Sequence, residues 1–296
     1  MKNFIENLKD GRVLLSDGAW GPMLDSMGLE STDCPEMWNI TEPGRVLKVA
    51  KSYIDAGADI IETNSFGGSR LKLDMYGLGD RARELNIAAA KISRQAAGAT
   101  AYVFGSVGPT GKILMMGDVS EDEVYNAFAE QASALEEGGA DAIIIETMSA
   151  LDEALLAVRA AKENTSLPLI CTFSFDKTVD GSYRTMMGVS PTDMLSALTG
   201  TGVDIFGTNC GNGFDGMVEI AGELRKNNPS VPLMVQANAG MPELVDGVNI
   251  FKEGPEEMAA KIPRLTGLGV NIIGGCCGTT PAHIEHFARV IALSNE

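Results

Sequence analysis

A (β/α)8 TIM barrel is the fold class this sequence predicts, and three observations carry that reading. Eight short apolar runs recur along the 296 residues, at 13–19, 57–64, 101–109, 139–147, 167–174, 202–210, 231–238 and 269–277. Successive runs begin 28 to 44 residues apart, which leaves room for one helix and its turns each time. Each run is nearly continuous in apolar residues, as a parallel strand buried on both faces should be. Amphipathic helical patterns separate the runs. Strand then helix, eight times over, is the barrel alternation; a doubly wound sheet would lack this count. No linker or shift in composition divides the chain. A barrel takes about 250 residues, so a single domain over residues 1–296 is expected.

The elements follow in order. VLLSDGA is the first run, and its turn continues through Trp20 and Gly21. The spacing of Val46, Val49, Tyr53 and Ile54 predicts a helix over 45–56. GADIIETN, the second run, opens on a turn-forming Gly-Ala-Asp, and an Ala-rich helix over 81–97 follows it. AYVFGSVGP precedes a helix over 121–137, where Ser120 and Glu123 stand at capping-box spacing. GADAIIIET precedes a helix over 151–162, with Asp152 and Glu153 at its positive N-terminal end. LPLICTFS, GVDIFGTNC, VPLMVQAN and GVNIIGGCC are the last four runs. Helices over 194–198, 217–226, 255–266 and 281–293 are expected after them.

Composition excludes several classes of function. A net charge of −17 argues against binding nucleic acid backbones and otherwise serves solubility. Residues 1–10, MKNFIENLKD, carry charges where a secretory leader would be apolar. No run of about 18 apolar residues offers a membrane span. Five cysteines, an odd number at scattered spacings, read as reduced thiols of a cytoplasmic protein. A homo-oligomer is left open.

The barrel reading places functional groups just past the C-terminal ends of strands. Unusual polar residues gather there: Asp17, Glu62, Asn64, Glu146, Asn209, Asn238 and three of the cysteines. Cys276 and Cys277 follow Gly274 and Gly275 in the last run, and Cys210 ends the sixth. Strands six and eight flank the seventh, so the three thiolates can converge on one soft ion, zinc above all. Three thiolates and Zn²⁺ carry a net charge near −1, a poor setting for activating water. Such a site with an open fourth position instead holds a substrate thiol as thiolate, where a free thiol of pKa about 8.5 is mostly protonated. A closed four-cysteine structural site would need Cys34 or Cys171, and neither is well placed. The chemistry suits alkyl transfer to sulfur.

DGAWGPML, AGADIIETNSFGG, GSVGPTG, IIIETMSALDEA, GTNCGNG and GGCCGTTPAHI together resemble the homocysteine S-methyltransferase family, in its order and over essentially the whole chain. That family includes betaine–homocysteine methyltransferases and the homocysteine module of cobalamin-dependent methionine synthase. The resemblance implies a zinc (β/α)8 barrel that methylates the homocysteine sulfur, with Cys210, Cys276 and Cys277 as zinc ligands. It implies that Asp17 and Glu146 receive the substrate ammonium, and that Asn238 fills the fourth zinc position without substrate. The residues support these roles: two carboxylates at strand ends suit an ammonium. Backbone N–H groups at Phe66-Gly67-Gly68 and Ser106-Val107-Gly108 suit the substrate carboxylate. Asn209, beside Cys210, is expected to shape the substrate site. Glu62 shares the placement of Glu146 with less support.

The methyl donor stays open at this point. A quaternary ammonium donor such as betaine would want aromatic faces; Trp20 and Trp38 are the candidates, with Tyr183 and Phe66 as additions. A methylated corrinoid would arrive on a separate protein, because no cobalamin-binding or folate-binding segment is expected within these 296 residues. Two rivals remain: methyl transfer between a donor and a corrinoid protein without homocysteine, and a non-catalytic zinc-stabilised barrel. His283 and His286 read as a helix-surface pair. The fifteen methionines read as packing residues, or as the lining of a flexible donor entrance.

Overall fold

Eight parallel strands form the barrel, in a computed structural model that describes residues 4–9, 11–245 and 248–295. They are β1 (Leu14–Leu15), β2 (Ile60–Glu62), β3 (Tyr102–Val107), β4 (Ala142–Met148), β5 (Leu169–Phe173), β6 (Ile205–Asn209), β7 (Leu233–Ala237) and β8 (Ile272–Gly275). Each pairs with its sequence neighbour from β2 through to β8, and β8 pairs with β1 at Leu14–Ile272 and Leu15–Ile273. The seam between β1 and β2 is closed by single bonds. Asp59 N donates to Leu15 O at 2.8 Å, and Leu15 N donates to Asp59 Oδ2 at 3.0 Å.

Alternation along the strands sorts side chains into an outer and an inner set. Leu15, Ile61, Val103, Ile143, Cys171, Phe206, Val235 and Ile273 face the surrounding helices in the main core. Leu14, Ile60, Phe104, Ile144, Ile170, Ile205, Met234 and Ile272, one from each strand, fill the barrel interior. The short helix Phe4–Lys9 closes this layer from below. Phe4 packs on Tyr102 and Phe104, with ring centroids 5.7 and 5.1 Å away. Two residues further along, the inner layer is polar on six strands and glycine on two: Ser16, Glu62, Ser106, Glu146, Thr172 and Gln236, with Gly207 and Gly274. That layer is the floor of the site.

The helices form the outer ring at Pro43–Asp55, Ala82–Ala97, Glu121–Gly138, Leu151–Asn164, Pro191–Leu198, Phe214–Asn227 and Pro281–Ser294. Two open earlier than their apolar pattern because proline is preorganised for the first turn, at Pro43 and Pro191. The Ser120–Glu123 capping box forms as expected. The single helix expected over 255–266 is a correction: it is two pieces, Pro255–Ala259 and Ile262–Gly267. Pro263 has no N–H to donate to the carbonyl of Ala259, so the first helix cannot run through. Two short hairpins, Asp176–Lys177 with Tyr183–Arg184 and Glu243–Val245 with Val248–Ile250, rise from the loops after β5 and β7. Among the described residues no helix is long and apolar enough to cross a membrane.

Candidate active site

Cys210 follows β6 in a left-handed conformation, φ 58°, and its N–H donates to Gln236 O at 3.2 Å. Cys276 follows β8, and its N–H donates to Ala237 O at 2.8 Å. The carbonyl of Cys276 accepts from Thr279 N and Oγ1, at 3.1 and 2.7 Å. A Cβ at Gly275 would collide with the Thr279 side chain, which is why glycine precedes the cysteine pair. The strand ends thus bring the three sulfurs within 4.8 Å of one another, with Cys210 and Cys277 3.6 Å apart. Two thiolates on one tetrahedral zinc, each with a bond of about 2.3 Å, stand about 3.8 Å apart. The trio fits one ion of that kind.

Hydrogen bonds from Cys276 and Cys277 hold the Cys210 sulfur as thiolate, down at about 3. The same bonding pushes Cys277 up to about 11 and Cys276 well above the usual thiol range. A dication that takes all three sulfurs must release the two protons they share. The Asn238 side chain also bonds to Cys210, while its Oδ1 is buried without a hydrogen-bond partner. An unpartnered buried oxygen beside the sulfurs suits a fourth ligand. The other two cysteines stay away: Cys171 is in the outer core, and Cys34 donates to Glu36 Oε2 at 3.2 Å.

Beside the sulfurs lie three buried carboxylates. Asp17 accepts from Glu62 N and Trp20 Nε1, both at 2.9 Å on Oδ2, and from Ser16 Oγ at 3.2 Å on Oδ1. Glu146 accepts from Ser106 Oγ at 2.5 Å and from Asn209 Nδ2 at 3.2 Å. Burial pushes Asp17 up to about 6 against its hydrogen bonds, and Glu146 up to about 7 with help from the charges of Asp17 and Cys210. Burial, with Glu146 and Asp17 nearby, pushes Glu62 well above the carboxylate range. Three buried acids sharing one wall are destabilising unless a cation joins them.

Asn209 is the strut of this wall. Its Oδ1 accepts from Thr147 N at 2.9 Å and Thr172 Oγ1 at 2.7 Å; its Nδ2 also reaches Thr147 Oγ1 at 2.7 Å. Thr147 is the second left-handed residue, φ 59°, at the irregularity in β4 between Ile145 and Met148. A bulge there re-aims Glu146. Sequence reading did not pick out Thr172 or Gln236, and it gave Ser106 a role only through its backbone turn; the signal for all three is a polar residue at an inner position of an otherwise apolar run.

Other expected site residues fall elsewhere. Gly67 N–H is already donated to the buried Glu36 Oε1 at 2.7 Å; Ser106 N–H goes to Thr63 Oγ1 at 2.9 Å and Gly108 N–H to Phe66 O at 2.9 Å. The N–H groups of Gly67, Gly68, Ser106 and Gly108 are therefore committed within the fold. Phe66 is exposed above Gly108. Trp20 is half-buried at Asp17, whereas Trp38 is 7 % exposed in the main core with the Arg45 guanidinium 5.1 Å above its ring. His283 is not on the surface: its Nδ1 accepts from Thr280 N at 3.1 Å and its Nε2 meets Glu253 O at 3.1 Å, so it caps the last helix. His286 is half-buried, and its Nδ1 bonds Ala282 O at 2.9 Å.

The sequence pattern of homocysteine S-methyltransferases matches residues 14–291. The chain belongs to the homocysteine S-methyltransferase family. It is 32 % identical over 299 residues to a methionine synthase of Mycobacterium tuberculosis, and 32 % identical over 305 residues to one of Mycobacterium leprae. The matches cover 95 % and 96 % of this chain and 25 % of each relative, so the chain spans about a quarter of their length. Among solved structures, its fold matches the metallated form of the Escherichia coli homocysteine methyltransferase MmuM, with a TM-score of 0.78 and 23 % identity over 96 % of this chain and 98 % of that one. The oxidised form of the same protein matches with a TM-score of 0.78 and 24 % identity, covering 97 % and 99 %. As a member of this family the barrel carries a three-cysteine cluster able to hold a metal.

Proposed function

We propose that this family member moves a methyl group onto the sulfur of homocysteine, giving methionine, with zinc held by Cys210, Cys276 and Cys277. One observation carries the reading: a three-sulfur cluster beside a wall of three buried carboxylates. A thiol and an ammonium are two of the three polar groups of homocysteine, and these two subsites match them. Zinc bound there supplies a fourth position in which the substrate thiol is held as thiolate. Asn238 Oδ1 would hold that position in the absence of substrate. Asp17 and Glu146 receive the ammonium, and Asn209 keeps Glu146 aimed at it. The substrate carboxylate lies against the Phe66 turn, with the Gly67 N–H committed to Glu36.

For the donor we favour a methylated corrinoid carried on a separate protein segment. Fourteen large apolar side chains are exposed among the described residues, and thirteen of them lie in the connections leaving the C-terminal ends of strands, among them Met75, Met115, Met116, Met186 and Met241. A methionine-rich rim around the mouth suits a broad, adaptable contact. A cage for betaine has less to recommend it. Arg45 already covers Trp38, and Lys177 lies 5.4 Å over the buried Tyr183 ring. Trp20 and Phe66 remain for the donor side.

The test is a methyl-transfer assay on zinc-loaded protein with homocysteine, giving betaine, S-methylmethionine and methylcobalamin separately. Methionine from methylcobalamin, lost in Cys276→Ala, is expected. Methionine from betaine alone would overturn the donor assignment, and zinc-loaded protein that does not bind homocysteine would overturn it as the acceptor.

A further inference from the structure

The polar inner layer contains a pair that the roles above leave unused. Gln236 on β7 reaches past β8 and β1 to Glu62 on β2, donating from Nε2 to Oε1 at 2.8 Å. The crossing needs a glycine beneath it. A Cβ at Gly274 would lie 2.8 Å from Ser16 Cβ and 3.2 Å from Gln236 Cγ. Gln236 is 3 % exposed, yet its Oε1 has no hydrogen-bond partner. Buried acceptors are seldom left so, and each one calls for an explanation.

The supply of donors around the three acids is uneven. Asp17 takes three and Glu146 takes two. Glu62 takes one side-chain donor, from Gln236. The shortage of protons to accept therefore falls on Glu62 and on Gln236 Oε1, neighbours by virtue of their own bond. An ammonium brings three N–H donors and a positive charge, which is what this corner lacks. A purely structural pair across a barrel would be better served by apolar side chains that leave no orphan.

We infer that Glu62 and Gln236 are further substrate-binding residues, receiving N–H donors of the same ammonium that Glu146 and the charge of Asp17 attract. The inference rests on the homocysteine reading. It makes the site specific for an α-amino thiol, as against a thiol acid of the same length. Recognition through several acceptors at once penalises a ligand without the ammonium, because it leaves these groups unpaired.

The test is calorimetric binding of L-homocysteine and of 4-mercaptobutanoate, which lacks the amino group, to the zinc-loaded full chain. Wild type should bind homocysteine more tightly. Glu62→Gln preserves shape, and with the Gln236 amide rotated it can donate to that oxygen, so the fold is retained. It should weaken homocysteine at least tenfold and change 4-mercaptobutanoate less than threefold. Gln236→Met should shift the same preference in the same direction by a smaller factor. Equal loss for both thiols, or an unchanged preference in both variants, would overturn these roles while leaving homocysteine as substrate. A wild type that binds neither thiol, or both equally, would overturn this inference together with the homocysteine reading.

Discussion

Cys210 and Thr147 are the two non-glycine residues with positive φ among the described residues, at 58° and 59°. A conformation of that kind costs about 1–3 kcal/mol unless its surroundings fix it. Asn209, the chain neighbour of Cys210, fixes Thr147 through its N–H and Oγ1 and is itself held by Thr172 Oγ1. Asn209→Ala should therefore lose about 2–3 kcal/mol, since it strands a buried N–H, and should weaken homocysteine binding with it. Urea unfolding checks this; a loss below about 0.5 kcal/mol would make Asn209 a bystander. The acids make a second prediction. Asp17 at about 6 and Glu146 at about 7 hold protons in the fold that the unfolded chain gives up near pH 4. Their share of stability is thus full below about pH 4 and is lost as pH rises from there through 6 to 7. Ammonium binding runs the other way. It needs the charged acids, so homocysteine affinity measured by calorimetry should rise from pH 5 to 7.5. A flat profile would remove Asp17 and Glu146 from the ammonium site.

At the scale of elements, the polar layer of the barrel depends on small residues where long ones cross. A Cβ at Gly207 on β6 would collide with the Met234 carbonyl and lie 3.1 Å from Thr172 Cγ2. Gly207→Ala should cost at least about 2 kcal/mol as overpacking against backbone that cannot yield; a thermal melt unchanged from wild type would contradict this. The elements also show what the sequence could tell. Cysteines are scarce, and three of the five end strands, so the sulfur cluster was readable. Strand positions were readable because both faces of a parallel strand are apolar. The same property hid Gln236, since a run apolar on both sides does not reveal which parity faces inward. The inner parity emerges once Leu14, Ile60 and Met234 are seen in one layer. His283 was misread for a related reason. Its spacing from Thr280 is that of a capping box, with a ring nitrogen in place of the usual carboxylate. The helix break at Pro263 was legible in principle, since proline interrupts an interior turn.

Across the whole molecule, stability and chemistry sit at opposite ends of the barrel. The lower end is closed by Phe4, fully buried against Tyr102 and Phe104. The upper end carries the sulfurs, the acids and the methionine-rich rim. Phe4→Ala should cost about 3–5 kcal/mol in chemical denaturation while the folded fraction keeps its homocysteine affinity. A large change in affinity would show that the two ends are coupled. The charge of −17 keeps the remaining surface solvated, and the exposed large apolar side chains gather on the loops of the upper end.

The central claim is that zinc on Cys210, Cys276 and Cys277 takes the substrate by its sulfur. The measurement that tests it most directly is calorimetric titration of homocysteine into the metal-free and the zinc-loaded protein, in buffers of different ionisation enthalpy. The account predicts tight binding only with zinc, accompanied by release of about one proton, the proton of a thiol whose free pKa is about 8.5. Equal affinity with and without zinc, or binding without proton release, would contradict it.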